Sequence, residues 1–286
     1  KLSIVIACGG TGGHLFPGIA VAEELLERGH EPLLMISRKR VDADASEKYG
    51  ALDFVTVAAI AKPRTMSLRM VPFLVKLWGT IRQSRKIFRL HQVEVVLGMG
   101  GFTSLPPIYA AQKMGLLTAL HDSNALPGKA NRLAARWCSR ILLGLEAARG
   151  YFESSRVEVT GTPVRSEFGN LPSETEARKG FGLHPDRPVV LCFGGSQGAK
   201  GLNTLADGAA ECLGTAVQWL HVAGRQDAER VKELVGDREG HVVCGFCDDM
   251  PAAYAASTLV ISRSGGASLT ELASLGLPSI LVPYPY

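Results

Sequence analysis

Short apolar runs alternate along the chain with longer stretches whose apolar positions recur every three or four residues. Leu2–Cys8, Leu33–Ile36, Val93–Leu97 and Leu117–Leu120 predict strands, and the stretch from about Pro17 to Arg28 predicts a helix. Pro17 suits the first turn of that helix, where its missing N–H is harmless, and Gly29-His30 suits its end. This is the βαβ rhythm of a parallel sheet. Between Val157–Thr160 and Pro188 the rhythm breaks into polar and turn-forming residues, among them Gly161-Thr162-Pro163 and Leu171-Pro172-Ser173. It restarts with Val189–Phe193, a helix over about Leu202–Leu213, and the runs Val217–Val222, Val242–Cys244, Leu259–Ile261 and Ser279–Val282. The expectation is an α/β protein of two domains, 1–161 and 162–286, the second repeating the plan of the first.

Each predicted domain opens with a strand, a glycine loop and a helix. The loops are Gly9-Gly10-Thr11-Gly12-Gly13-His14 and Gly194-Gly195-Ser196-Gln197-Gly198-Ala199-Lys200-Gly201. Such a loop lets backbone approach an anion closely, and the helix behind it aims free N–H groups and a positive dipole end at that anion. A third cluster, Gly98-Met99-Gly100-Gly101-Phe102-Thr103-Ser104, precedes the helix-like run Pro106–Gln112. It reads either as a plain strand–helix turn or as a second phosphate cradle in the first domain.

Two polar clusters add candidate chemistry. Ser262-Arg263-Ser264-Gly265-Gly266-Ala267-Ser268-Leu269-Thr270-Glu271 lies between a predicted strand and a helix marked by Leu272, Ala273, Leu275 and Leu277. It reads as an anion site with Glu271 accepting from ribose hydroxyls, or as a capping box in which Ser268 and Glu271 serve their own helix. With Ser196 placed to donate to a phosphate in the same domain, nucleotide binding is favoured. His121-Asp122-Ser123-Asn124 follows a predicted strand at the carboxyl edge, where open α/β sheets bind ligands. The plainer reading makes Ser123 or Asn124 the cap of a helix over Lys129–Arg136. His14, at the same edge, suits a general base toward a sugar hydroxyl because its ordinary pKa lies near neutrality.

Composition narrows the setting. The 286 residues are 46% apolar with a net charge of +4, an ordinary globular balance. Cys8, Cys138, Cys192, Cys212, Cys244 and Cys247 are irregularly spaced and sit mostly in apolar runs, which predicts reduced thiols and a cytosolic setting. Cys244-Gly245-Phe246-Cys247 has no second pair at a zinc-like spacing, so no metal is expected. No apolar run approaches membrane-spanning length. Between Asp53 and Glu94 no acid occurs, while Lys62, Arg64, Arg69, Lys76, Arg82, Arg85, Lys86 and Arg89 interleave with Met70, Val71, Phe73, Leu74, Leu77, Trp78, Ile81 and Phe88. That segment suits an anionic membrane surface, or equally a core-packed helix with a solvated basic face. Nothing resembles a base-reading module, so no nucleic-acid partner is expected.

Five motifs stand in a recognisable order: Gly-Gly-Thr-Gly-Gly-His at 9–14, Gly-Met-Gly-Gly-Phe at 98–102, Pro-Val-Arg at 163–165, Gly-Gly-Ser-Gln-Gly-Ala at 194–199 and Arg-Ser-Gly-Gly at 263–266. By these the chain resembles the MurG family of bacterial glycosyltransferases. The resemblance implies a GT-B fold, two Rossmann-like domains with parallel sheets facing a cleft. It implies inverting transfer of N-acetylglucosamine from UDP-N-acetylglucosamine to the 4-hydroxyl of the muramyl sugar of undecaprenyl-pyrophosphoryl-MurNAc-pentapeptide, lipid I to lipid II, in peptidoglycan synthesis. No cofactor is implied, and the setting is the cytoplasmic face of the cell membrane. By matching positions, the donor is expected at Thr11, Gly12, Gly13, Asn124, Arg165, Ser196, Cys247, Gly266, Ala267, Ser268, Leu269, Thr270 and Glu271. The acceptor pyrophosphate is expected at Gly10, Gly100, Gly101, Phe102 and Thr103. His14 is the expected base, and Asp122 the alternative base or an orienting carboxylate.

The chain departs from the family's usual His-Glu-Gln-Asn at 121–124, where its carboxylate is one methylene shorter and an amide is lost. The family also continues past Pro283-Tyr284-Pro285-Tyr286 into a donor-sugar segment and a C-terminal helix. The second domain is therefore expected to be truncated, and the 286-residue chain alone to bind the donor poorly. Other readings stay open at this stage: another GT-B UDP-sugar transferase, a UDP-sugar epimerase of the same architecture, or a non-catalytic UDP-sugar-binding module. An NAD oxidoreductase is disfavoured, because Ile36-Ser37-Arg38 stands where the ribose-binding acid of that fold ends its second strand.

Overall fold

A computed structural model describes residues 1–58, 70–195 and 198–283. The chain divides into two compact units, Lys1–Arg165 and Ser166–Tyr286. In chain order the first contains β1 (Ser3–Ala7), α1 (Gly12–Glu27), β2 (Glu31–Ser37), α2 (Arg40–Lys48), β3 (Asp53–Val57), α3 (Met70–Leu90), β4 (Val95–Gly98), α4 (Gly101–Lys113), β5 (Leu117–Asp122), α5 (Lys129–Ala134), β6 (Arg140–Leu143) and β7 (Val157–Val159). The seven strands form one parallel sheet in the order β3-β2-β1-β4-β5-β6-β7.

The central strand explains the layering. Side chains alternate across a strand, so Ile4, Ile6 and Cys8 bury against Leu15, Ile19 and Ala22 of α1, while Val5 and Ala7 bury against Ile81, Phe88 and Ala110 of α3 and α4. Helices cover both faces, which is why β1 reads as a continuous apolar run. At the sheet edge β7 pairs with β6 where the sequence pattern breaks; Glu158 and Val159 are exposed, so no apolar run was needed there.

Two helices start earlier than their prolines suggest. Gly12, with Thr11 in the N-cap position, begins α1, so Pro17 lies inside the helix and leaves the carbonyl of the exposed Gly13 without its i+4 donor. Likewise α4 begins at Gly101, with Pro106 and Pro107 inside it. In both, glycine at the strand end turns the chain into helix at once.

The second unit contains α6 (Glu174–Gly180), β8 (Val189–Phe193), α7 (Lys200–Leu213), β9 (Gln218–Val222), α8 (Ala228–Val235), β10 (His241–Cys244), α9 (Met250–Ala256), β11 (Leu259–Arg263), α10 (Gly266–Ser274) and β12 (Ser279–Val282). Its five strands are parallel in the order β10-β9-β8-β11-β12. Val190 and Cys192 of β8 pack on Leu202, Ala206 and Ala210 of α7, with Trp219 completing that cluster.

Between β9 and β10 lies a titratable pair. His221 Nε2 donates to Asn203 Oδ1 at 3.1 Å, and His241 Nε2 lies 3.4 Å from His221 Nδ1. The bond to Asn203 leaves His221 Nδ1 as the acceptor in a neutral ring, so protonation there would set N–H against N–H. Burial lowers both imidazoles to about 4, aided at His241 by the neighbouring His221 and Arg238 and opposed at His221 by Asp207 and Asp227. The unfolded chain, with imidazoles near the usual 6.5, binds more protons between these values. Stability of the second unit is therefore full above about pH 6.5 and falls as the pH drops toward 4. Trp219, stacked on His241 at 5.8 Å, reports it: urea unfolding followed by tryptophan fluorescence should show a midpoint that declines through this window, and His241→Gln should flatten the decline.

Candidate active site

In each unit the first strand of the sheet is flanked by neighbours whose connections leave in opposite directions, β2 and β4 beside β1, β9 and β11 beside β8. Ligands of open α/β sheets bind at such switch points, outside the carboxyl ends of the strands. In the first unit this brings the loop before α1 and the loop before α4 together. Thr103 Oγ1 donates to Gly9 O at 2.5 Å, and Ser104 Oγ donates to Ala7 O at 2.8 Å.

The N–H groups that the two loops offer are fewer than their glycines suggest. Gly10 N donates to Asp42 Oδ2 at 3.0 Å, and its carbonyl accepts from Lys39 Nζ at 2.8 Å. Gly100 N donates to Ser104 Oγ at 3.1 Å and Gly101 N to Asn131 Oδ1 at 2.8 Å. At Gly10, Gly100 and Gly101, three of the residues expected at the acceptor pyrophosphate, the protein itself takes the N–H donors. Among the described residues no acceptor takes the N–H groups of Gly12, Gly13, Phe102 or Thr103, which open α1 and α4. A side chain built at Gly13 would meet nothing within 4 Å, so a ligand has room to approach there.

His14 is the third residue of α1 and lies against Gly100 and Gly101. A Cβ at Gly100 would come within 3.1 Å of its Nε2 and one at Gly101 within 3.0 Å of its Cε1, and both glycines have positive φ. Only glycine fits either place. His14 Nδ1 lies 3.1 Å from Thr11 Oγ1. For the ring to take a proton at Nε2, Nδ1–H must be the donor to that hydroxyl. Burial lowers the His14 pKa below the usual imidazole value, with His121 and Lys39 pulling the same way and Asp122 opposing. The ring is thus neutral at pH 7, the state a general base requires.

Asp122 ends β5 and is buried, as are His121 and Ser123, while Asn124 is exposed. The carboxylate accepts from Asn124 N at 3.0 Å and Asn124 Nδ2 at 3.1 Å on one oxygen and from Asn131 Nδ2 at 2.8 Å on the other. With both oxygens bonded and 1% exposure, Asp122 is held as an anchor. Through Asn131 it fixes the Gly101 peptide, and so the wall behind His14. The capping alternative for this cluster does not occur: Gly128 is the N-cap of α5, with no side-chain cap. His121 Nε2 lies 2.9 Å from Gly161 O.

Asp42, Lys39 and Asn131 escaped the sequence reading. Asp42 is fully buried and accepts from Ser37 N at 2.8 Å and from the Ser37 hydroxyl as well as from Gly10. An acid does stand near the end of β2, but the glycine loop consumes it. Its only sequence signal was a position in the first turn after a strand end. Arg165 is 5% exposed, with its guanidinium 4.2 Å from the Phe16 ring centroid and NH1 donating to Tyr49 Oη at 2.9 Å, so its place is in the first unit.

In the second unit α7 follows β8 and α10 follows the adjacent β11, so two helix N-termini share one sheet edge. Ser196 lies outside the described residues, as do Lys62, Arg64 and Arg69. Gly265 is the N-cap of α10, without a side-chain cap. The Ser268–Glu271 capping box is therefore not formed; the N–H groups of Gly266, Ala267 and Ser268 find no acceptor among the described residues. Thr270 Oγ1 donates to Gly266 O at 2.9 Å. Glu271, in the second turn beside Leu269 and the buried Leu272, accepts from the hydroxyl of the fully buried Tyr254 at 2.9 Å, a partner the sequence did not suggest. Cys247 Sγ donates to Asp249 O at 3.2 Å, and burial pushes its thiol up to about 12. Cys244 is raised too, so both sulfurs of the pair stay protonated. Among the described residues no group of three or more His, Cys, Asp or Glu is arranged to hold a metal ion.

Residues 4–143 match the sequence model of the glycosyltransferase family 28 N-terminal domain, and residues 189–286 match that of the family 28 C-terminal domain. The chain is 34% identical over 291 residues to the UDP-N-acetylglucosamine–N-acetylmuramyl-(pentapeptide) pyrophosphoryl-undecaprenol N-acetylglucosamine transferase of Listeria welshimeri, covering 100% of this chain and 80% of that protein. It belongs to glycosyltransferase family 28. A transferase of the same description from Serratia proteamaculans is 36% identical over 288 residues, 99% of this chain and 78% of that protein. Solved structures share the fold: MurG of Acinetobacter baumannii superposes with a TM-score of 0.67 at 24% identity, covering 100% of this chain and 79% of that one. A UDP-GlcNAc 2-epimerase of Neisseria meningitidis, solved with UDP-GlcNAc, superposes with a TM-score of 0.69 at 17% identity, covering 98% and 82%. The architecture is thus GT-B, and the protein is a family 28 glycosyltransferase. The N-terminal family match contains both loops of the first unit, His14 and Asp122; the C-terminal match contains the N-termini of α7 and α10.

Proposed function

We propose that the protein transfers N-acetylglucosamine from UDP-N-acetylglucosamine to the 4-hydroxyl of the muramyl sugar of undecaprenyl-pyrophosphoryl-MurNAc-pentapeptide, with inversion, giving a β-1,4 linkage. The observation that carries this reading is the pair of tied glycine loops with His14 set against them, in a chain 34% identical to a transferase of that description. In the proposed reaction His14 Nε2 removes the proton of the attacking hydroxyl, the anomeric carbon passes through an oxocarbenium-like state, and negative charge grows on the departing UDP. The N-termini of α7 and α10, with Ser268 and Thr270 at hand, face that charge, and Glu271, oriented by Tyr254, accepts from the ribose. Thr11, Gly12, Gly13 and Asn124 serve the donor sugar from the first unit. The acceptor pyrophosphate lies at the N–H groups of Phe102 and Thr103.

The membrane reading gains support from α3. Its exposed stripe runs Val71, Leu74, Val75, Trp78 and continues in register as Arg82, Lys86 and Arg89, while Thr80, Ile81, Ser84, Ile87 and Phe88 face the core. No helix among the described residues is long and apolar enough to cross a membrane. The proposed seat is peripheral, on anionic lipid at the cytoplasmic face, with the apolar half inserted and the basic half among headgroups.

Labelled UDP-N-acetylglucosamine with a short-chain lipid I analogue tests the proposal. The expected product is the β-linked disaccharide lipid. Binding of UDP-N-acetylglucosamine without transfer would leave a binding module, and 2-epimerisation of the free nucleotide sugar would leave an epimerase.

A further inference from the structure

We propose that Tyr254 is a positioning residue whose hydroxyl holds the Glu271 carboxylate ready for a ribose hydroxyl, and so gives the donor site a preference for ribonucleotides over deoxyribonucleotides. The proposal deepens the reading of Glu271 as the ribose acceptor and rests on it.

Tyr254 lies on α9, a short helix fixed at both ends. The Asp249 side chain accepts from Ala252 N at 2.9 Å, and Ser257 Oγ donates to Tyr254 O at 2.8 Å. The tyrosine is fully buried, its ring edge-on to Phe193 at 5.9 Å and tilted against Phe168 at 5.6 Å. Packing on both rings fixes its orientation, so the place of its hydroxyl is set before any ligand arrives. A buried phenol needs an acceptor, and it donates to Glu271 Oε2 at 2.9 Å.

Satisfying a phenol does not by itself call for an acid. A side-chain amide or a backbone carbonyl would serve, whereas a carboxylate only 9% exposed is costly to bury. The acid offers about four lone-pair sites, of which the phenol takes one. A glutamate side chain also has several torsions to order; tied to a rigid ring, it is ordered in advance, which raises affinity for a hydroxyl that meets it. The surroundings say which hydroxyl that is. Phe193, on which Tyr254 packs, ends β8 directly before the glycine loop at 194–201, and Glu271 lies in the second turn of α10, which follows the adjacent β11. One ring thus braces both the strand leading into the phosphate loop and the acid. In a nucleoside diphosphate the group next to the phosphates is the ribose, with two adjacent hydroxyls.

Calorimetric titration with UDP, 2′-deoxy-UDP and 3′-deoxy-UDP tests the proposal in the wild type, Tyr254→Phe, Glu271→Gln and the double variant. Phenylalanine removes the hydroxyl and keeps the ring that packs on Phe168 and Phe193. The wild type should bind UDP about tenfold to a hundredfold more tightly than the analogue lacking the bonded hydroxyl, the range of a hydrogen bond to a charged group. Glu271→Gln should erase most of that ratio. Tyr254→Phe should weaken UDP about fivefold or more while the deoxy analogue stays within about twofold, and should add little in the double variant. If Glu271→Gln erases the ratio and Tyr254→Phe retains it, whether by leaving all affinities unchanged or by weakening UDP and both analogues equally, the proposal is overturned and the ribose reading stands. A wild type that binds UDP and both analogues alike would strike the ribose reading itself, and the proposal with it.

Discussion

Replacing His14 by alanine is expected to lower kcat by about 10²- to 10⁴-fold, the usual contribution of a positioned general base, while the KM for UDP-N-acetylglucosamine changes little. The expectation follows from where the ring sits. It stands on α1 between Thr11 and the Gly100–Gly101 peptide, and among its neighbours Asp122 is buried and fully bonded. The pH profile separates chemistry from packing. Because burial lowers the His14 pKa, its neutral form persists to more acid pH, and the acid limb of kcat/KM should lie below the usual imidazole value of 6.5. In His14→Ala that limb should vanish. Unchanged turnover would remove His14 from the mechanism.

Substituting Leu74 and Trp78 together by glutamate should abolish binding to phosphatidylglycerol vesicles while leaving transfer to a short-chain soluble acceptor intact. Val71, Leu74, Val75 and Trp78 are 62%, 53%, 67% and 56% exposed, an unusual outlay of large apolar side chains on consecutive turns of one helix face. Inserting each such side chain is worth about 1.5–3 kcal/mol, so losing two and adding two charges should weaken partition by at least about a hundredfold. Arg82, Lys86 and Arg89 on the same face make the wild-type association sensitive to salt. Vesicle binding that survives both substitutions would move the seat elsewhere.

The legible parts of the fold are those where one physical demand dominates. Val189–Phe193 is buried along its whole length, and the apolar run read from sequence coincides with β8. The three glycine loops were visible because close approach at Gly9, Gly98, Gly194 and Gly198, where a Cβ would come within 3.0 Å of its neighbours, leaves no other residue type. Edge and short strands were not: Asp53–Val57, Arg140–Leu143 and Val157–Val159 carry polar or charged residues that sheet position, not periodicity, makes tolerable. Proline misled at 17 and 106 because a first-turn preference says nothing about glycines that have already begun the helix. At the site, His14 and Asp122 were legible by their place at strand ends. Asp42, Asn131 and Tyr254 were not, since a polar residue in a polar helix, or a tyrosine among alanines, declares no partner until the chain folds.

The contact between Asp122 and Asn131 also bears on how this lineage can vary. Asp122 accepts from Asn131 at 2.8 Å, and Asn131 in turn accepts from the Gly101 peptide at 2.8 Å. Variation at 122, 131 and 101 is thereby linked: a residue at 131 without an amide leaves both the Asp122 oxygen and the Gly101 N–H without this partner.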